Sequence, residues 1–139
     1  MGFIMALGAA ATALLTFVYA TESRRLPAKR ARFNGREPLS SSEIFTRFFS
    51  DTQFREAEFI ALWNEIGTLL QISPGVLRPS DRFAVELAPV EGHLVEDELA
   101  DLEQLVLRHV GHFDVSVQAP TNLQELVHLV LSADHRNRA

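Results

Sequence analysis

The chain has 139 residues, enough for one domain of ordinary size, and no cysteine, which excludes disulfides, thiolate metal sites and cysteine nucleophiles. Its formal charge of -5 conceals an asymmetry: residues 21–36 hold six basic side chains and one acid, whereas from Glu37 onward 17 acids face 7 basic residues. DNA and RNA affinity comes mainly from Lys and Arg on phosphates, so this acidic domain is not expected to bind nucleic acid as its main role.

Gly2 to Ala20 runs for nineteen residues without a charge or a proline. That approaches the ~20 residues a helix needs to cross a bilayer, and a helix satisfies its own backbone where lipid cannot. Residues 1–20 are therefore expected to form a single transmembrane signal-anchor helix. The basic collar follows at once, and the positive-inside rule keeps it in the cytoplasm, with the N-terminus outside. The resulting expectation is a bacterial-type, single-pass inner (plasma) membrane protein with a cytoplasmic domain. The rival is a signal peptide cleaved after Val18-Tyr19-Ala20. It is disfavoured because no Lys or Arg precedes the apolar run. Small residues in the run allow weak homo-oligomerisation through the anchor.

Residues 21–38 read as a basic linker, broken by Pro27, Asn34-Gly35 and Pro38. Arg24, Arg25, Lys29, Arg30 and Arg32 are expected to set topology. They also suit anionic membrane lipid, at about 1 kcal/mol per basic residue near the surface.

The acidic domain is expected over 39–133. Ser40 and Glu43 fit a capping box opening a short helix that carries Ile44, Phe45, Phe48 and Phe49. Asp51 is the expected cap of a second helix, in which Phe54, Phe59, Leu62, Trp63, Ile66, Leu69 and Leu70 recur at helical spacing. Pro74-Gly75 ends it. In the loop that follows, Leu77, Phe83, Val85 and Leu87 are expected to pin the chain onto the helices, with Val85 and Leu87 alternating as in a short extended piece. A third helix is expected from Glu96 to His109, with Leu99, Leu102, Leu105, Val106 and Val110 as its apolar stripe. Glu96, Asp97, Glu98, Asp101 and Glu103 crowd its first turns, where acids suit the helix dipole. Phe113, Val115 and Val117 alternate and are expected to lie extended. Thr121 and Gln124 match a capping box for a last helix with Leu123, Leu126, Val127, Val130 and Leu131 inward. Residues 134–139 read as a polar tail.

This order resembles the acyl carrier protein family over Phe59 to Leu131. Leu77-Arg78-Pro79-Ser80-Asp81-Arg82-Phe83 looks like the family's loop after its first helix, and Glu86-Leu87 like the acid-Leu pair that follows. Asp97-Glu98-Leu99 falls where the family writes Asp-Ser-Leu, and His112 to Val117 is similar to the end of the second helix and the run after it. Two departures stand out. The loop from Phe83 to Asp97 is longer than the family's usual spacing, and Glu98 replaces the serine whose hydroxyl takes phosphopantetheine. A carboxylate cannot form that phosphodiester, so no cofactor is expected. The resemblance implies a helical bundle and a docking helix whose acidic face, Glu96, Asp97, Glu98, Asp101 and Glu103, meets a basic surface on a protein partner.

No established enzyme motif appears. There is no Gly-x-Ser-x-Gly elbow and no Gly-rich phosphate loop. The five histidines match no zinc spacing. No catalytic residue and no metal site is expected. The Phe-rich run from Ile44 to Phe59 reads as core. The sequence therefore points to an all-α chain: an N-terminal transmembrane helix, then a small acyl carrier protein-like helical bundle. Its expected role is that of a membrane-anchored, non-catalytic adaptor. The alternative is a helical module that binds an apolar ligand or lipid in its core.

Overall fold

The computed structural model describes residues 27–89, 98–111 and 118–139, with the backbone alone at Glu98 and Leu99. The chain divides into two units. The first, Met1–Arg32 with Pro89–Glu96, contributes only residues 27–32 and 89 to the description. Residues 27–31 are helical and 32–35 form a turn, within the span expected to be a linker.

The second unit, Phe33–Ala88 with Asp97–Ala139, carries the rest. Its helices are α1 (Ser41–Phe48), α2 (Glu56–Leu70), α3 (Glu98–Val110) and α4 (Leu123–Arg138), with a 3-10 turn at Pro74–Val76. α2 packs against the other three helices and the 3-10 turn, and α3 packs along α4. No strand forms among the described residues, where one isolated bridge joins Arg82 and Asn122. The expected all-α class stands in this part of the chain.

Helix starts follow local chemistry. Ser40 caps α1 as expected: its hydroxyl accepts the Glu43 N–H, and the Glu43 carboxylate accepts the Ser40 N–H at 2.7 Å. Asp51 does not cap α2, which starts after Arg55 without a side-chain cap, so Phe54 precedes the helix. α2 ends with Gln71 in the left-handed region, at φ 56. There the Ile72 N–H reaches Gly67 O and the Gln71 N–H reaches Thr68 O, the paired bonds of a Schellman ending. α4 begins one residue later than the Thr121–Gln124 match suggests. Asn122 Oδ1 accepts the Glu125 N–H, while the Glu125 carboxylate turns back to the Thr121 N–H and hydroxyl. The helix then continues through the expected polar tail to Arg138, which pairs with Glu58.

The core joins α1 and α2 to α3 and α4. Ile44, Phe49, Phe59, Trp63, Ile66 and Leu70 are fully buried on one side, and Leu105, Leu123, Val127 and Val130 on the other. Phe59 stacks on Trp63 with centroids 5.3 Å apart, and Phe49 tilts against Phe59 at 4.7 Å. Each such pair adds about 1 kcal/mol beyond its buried area. The Trp63 indole N–H donates to Pro74 O, so its polar end is satisfied inside the core. The Phe-rich run is largely core, as expected, but Phe48 is 46% exposed.

No helix among the described residues is long and apolar enough to cross a membrane. This overturns the expected single-pass inner-membrane placement and the transmembrane part of the expected fold class. The described helices are amphipathic, burying one stripe and keeping charges on the other face. Even the 16-residue α4 carries Glu125, Asp134, Arg136 and Arg138. The apolar run that prompted the expectation, with Arg24 and Arg25 after it, lies outside the described residues.

Candidate functional site

A buried polar clamp sets the frame for the site. Asp81 is 1% exposed. Arg36 grips its carboxylate with two bonds of 2.7 and 2.8 Å and gives a third to Val76 O. The same carboxylate accepts the Arg78 backbone N–H at 2.8 Å. The bond to Asp81 raises the Arg36 pKa, and Phe33 lies under the guanidinium at 4.9 Å. Gly35, at φ +86, makes the turn that brings Arg36 inward. Arg36, counted in the basic collar by sequence, is thus an internal strut of the domain.

Residues 79–83 run beside the start of α4. Pro79 O accepts the Gln124 N–H, Asp81 O accepts the Leu123 N–H, and the Phe83 N–H donates to Thr121 O. The loop thereby satisfies N–H groups that a helix start leaves open. It also fixes Phe83 beside the residues that precede α4.

Beside this strut the structure holds a cavity of about 540 Å³, lined by Phe83, Leu102, Glu103, Val106, Ala119, Pro120 and Leu126. Six of these seven side chains are apolar. α3 supplies Leu102 and Val106, α4 supplies Leu126, and the loop and the residues before α4 close the rest. Glu103 is exposed and contributes the charge among these lining residues. Such a size and lining fall within the range of small-molecule sites.

The charges around the cavity are mostly committed. The Arg82 backbone N–H and guanidinium both bind Glu86, at 2.8 and 3.3 Å. These bonds, the backbone one foremost, lower the Glu86 pKa to about 2. Arg108 pairs with Glu65 at 2.9 Å. His109 Nδ1 meets the Asp134 carboxylate at 2.9 and 3.1 Å, tying α3 to α4.

Of the expected docking residues, Asp101 and Glu103 are exposed on α3. Glu98 opens that helix, and Glu96 and Asp97 lie outside the described residues. Of the expected basic residues, Arg30 and Arg32 are exposed while Lys29 is buried, and all three belong to the first unit. His128 sits against Phe49 and Phe54, at 6.0 and 5.0 Å between ring centres. His93, His112 and the run Phe113 to Val117 lie outside the described residues. Among the described residues no three His, Asp or Glu side chains gather as a metal ligand set. Sequence reading placed Leu102, Val106 and Leu126 on apolar stripes and Phe83 in a pinning loop. It missed that Ala119 and Pro120 join them around a cavity, because small residues before a helix carry no periodic signal.

No family model, no curated protein and no solved structure matches the chain. The likeness to acyl carrier proteins therefore rests on the order of sequence features alone.

Proposed function

We propose that the domain is a small, non-catalytic helical binding module that holds an apolar chain in the cavity between α3, α4 and the Phe83 loop. The observation that carries this reading is the 540 Å³ space with its six apolar lining residues. The space is open to solvent on one side, so a ligand can reach it, and its size and mainly apolar lining suit a small apolar molecule. The resemblance to proteins that hold acyl chains supports the same reading, while Glu98 leaves no hydroxyl for covalent attachment. The test uses N-phenylnaphthylamine, a neutral fluorophore that brightens in apolar surroundings. The wild-type protein should bind it and release it to decanol. Val106→Phe fills the cavity from α3 and should weaken binding by about tenfold, as for the loss of one well-buried apolar group, with the helical circular dichroism intact. Equal binding by both proteins, or none by the wild type, sinks the reading.

A second reading has its own support. Asp101 and Glu103 are exposed on the same helix, and in this reading they dock a protein partner with a basic surface. Charge reversal at both positions would abolish that docking and leave N-phenylnaphthylamine binding intact. Retained docking after reversal sinks this second reading.

A further inference from the structure

The cavity has an apolar body and an acidic lip. Glu103, one turn before Val106 on α3, is the one charged residue among its described lining residues. The basic groups nearby in sequence are engaged elsewhere. Arg82, adjacent to Phe83, gives both its backbone N–H and its guanidinium to Glu86. Arg108, two residues beyond Val106, is paired with Glu65. A ligand with an anionic head would place its charge against the Glu103 carboxylate.

From this charge arrangement, and resting on the reading of the cavity as the binding site, we infer that the ligand is an amphiphile with a cationic head. Its alkyl chain lies among Phe83, Leu102, Val106 and Leu126, and its ammonium group pairs with Glu103. The carboxylate is exposed, so its effect is that of a surface ion pair: selectivity among apolar chains rather than the main part of the affinity.

Three ligands with the same chain, decylammonium, decanol and decanoate, test this by displacement of N-phenylnaphthylamine at neutral pH, below their micellar concentrations. At low salt decylammonium should bind up to about fivefold more tightly than decanoate, and added salt should shrink the gap. Glu103→Gln should remove most of that preference, and Glu103→Lys should reverse it. Decanol should bind all three proteins alike, which shows that the cavity itself is unchanged. If decanoate binds as tightly as decylammonium, or if Glu103→Gln leaves the preference intact, the cationic head is wrong and the apolar cavity stands. If none of the three displaces the probe, the cavity reading falls, and this inference falls with it.

Discussion

The two halves of the second unit are held by different forces. In the first half, from Phe33 through α1 and α2 to Phe83, polar pins reach into the packing: the partly exposed Arg36 on the buried Asp81, the Trp63 indole on Pro74 O, and the Leu39 N–H on Gly75 O at 3.0 Å. In the second half, α3 and α4 meet through an apolar seam. The His109–Asp134 pair that joins them is partly solvated, as are Arg108–Glu65 and Arg138–Glu58, which tie α3 and α4 back to α2. Buried polar bonds demand one geometry, because a misplaced partner leaves a group unsatisfied. An apolar seam makes no such demand and tolerates a gap. The cavity lies where the two halves meet, with Phe83 of the pinned frame on one side and the apolar α3–α4 seam on the other.

The largest expected effect strikes the frame. Asp81→Ala leaves the partly exposed Arg36 guanidinium and the Arg78 N–H without their acceptor and should cost between about 2 and 3 kcal/mol, the scale of lost charge-assisted hydrogen bonds. Urea unfolding followed by Trp63 fluorescence measures it. A loss no larger than that of an exposed ion pair, such as Arg108→Ala, would remove the distinction between the halves.

A sharper form of the comparison adds bulk to each half. A Cβ on Gly75 would come within 2.8 Å of Leu39 O, a backbone atom that cannot turn aside. Gly75→Ala should therefore cost about 2 kcal/mol, as overpacking does. Val106 is buried but borders the cavity, so the ring of Val106→Phe can turn into that space and its cost should stay below that of Gly75→Ala. The order of the two unfolding midpoints decides the matter. If the Val106 variant is the less stable, the second half is as tightly packed as the first.

These contrasts also mark what the sequence could tell. Helical periodicity located α2, α3 and α4, since burial of one stripe repeats every three to four residues, and the capping box at Ser40 was legible as a local pattern. Asp51 and Thr121 have suitable cap chemistry, yet neighbouring residues set the helix starts. Arg36 was illegible because its partner lies 45 positions away, and nothing local separates an internal strut from a solvated cation. Of the site, the stripes supplying Leu102, Val106 and Leu126 were readable. The cavity was not, because it depends on how far apart two stripes come to rest. Asp101 and Glu103 were singled out for charge, and only Glu103 borders the cavity.

The smallest expected effect lies on the loop that joins the halves. Glu86 holds Arg82 beside the lining residue Phe83, and its carboxyl titrates near 2 in the folded protein. A carboxylate with a depressed folded pKa stabilises fully above its ordinary value and loses that contribution as pH falls toward the folded value. Stability from this contact should therefore be complete above about pH 4.5 and drain away between there and about pH 2. The group stands at the surface, so solvent screening keeps the contribution under about 1 kcal/mol. Glu43, with its pKa lowered by the Ser40 N–H, loses stability in the same direction and is the internal control in the first half. Urea midpoints taken at about pH 7 and about pH 3 should fall less for Glu86→Gln than for the wild type. N-phenylnaphthylamine affinity should weaken with acid in the wild type and be nearly flat in the variant if the Arg82–Glu86 contact also sets the position of Phe83. Parallel falls in the midpoints would show that the contact contributes nothing to stability, and an acid-insensitive wild-type affinity would show that the wall does not depend on it.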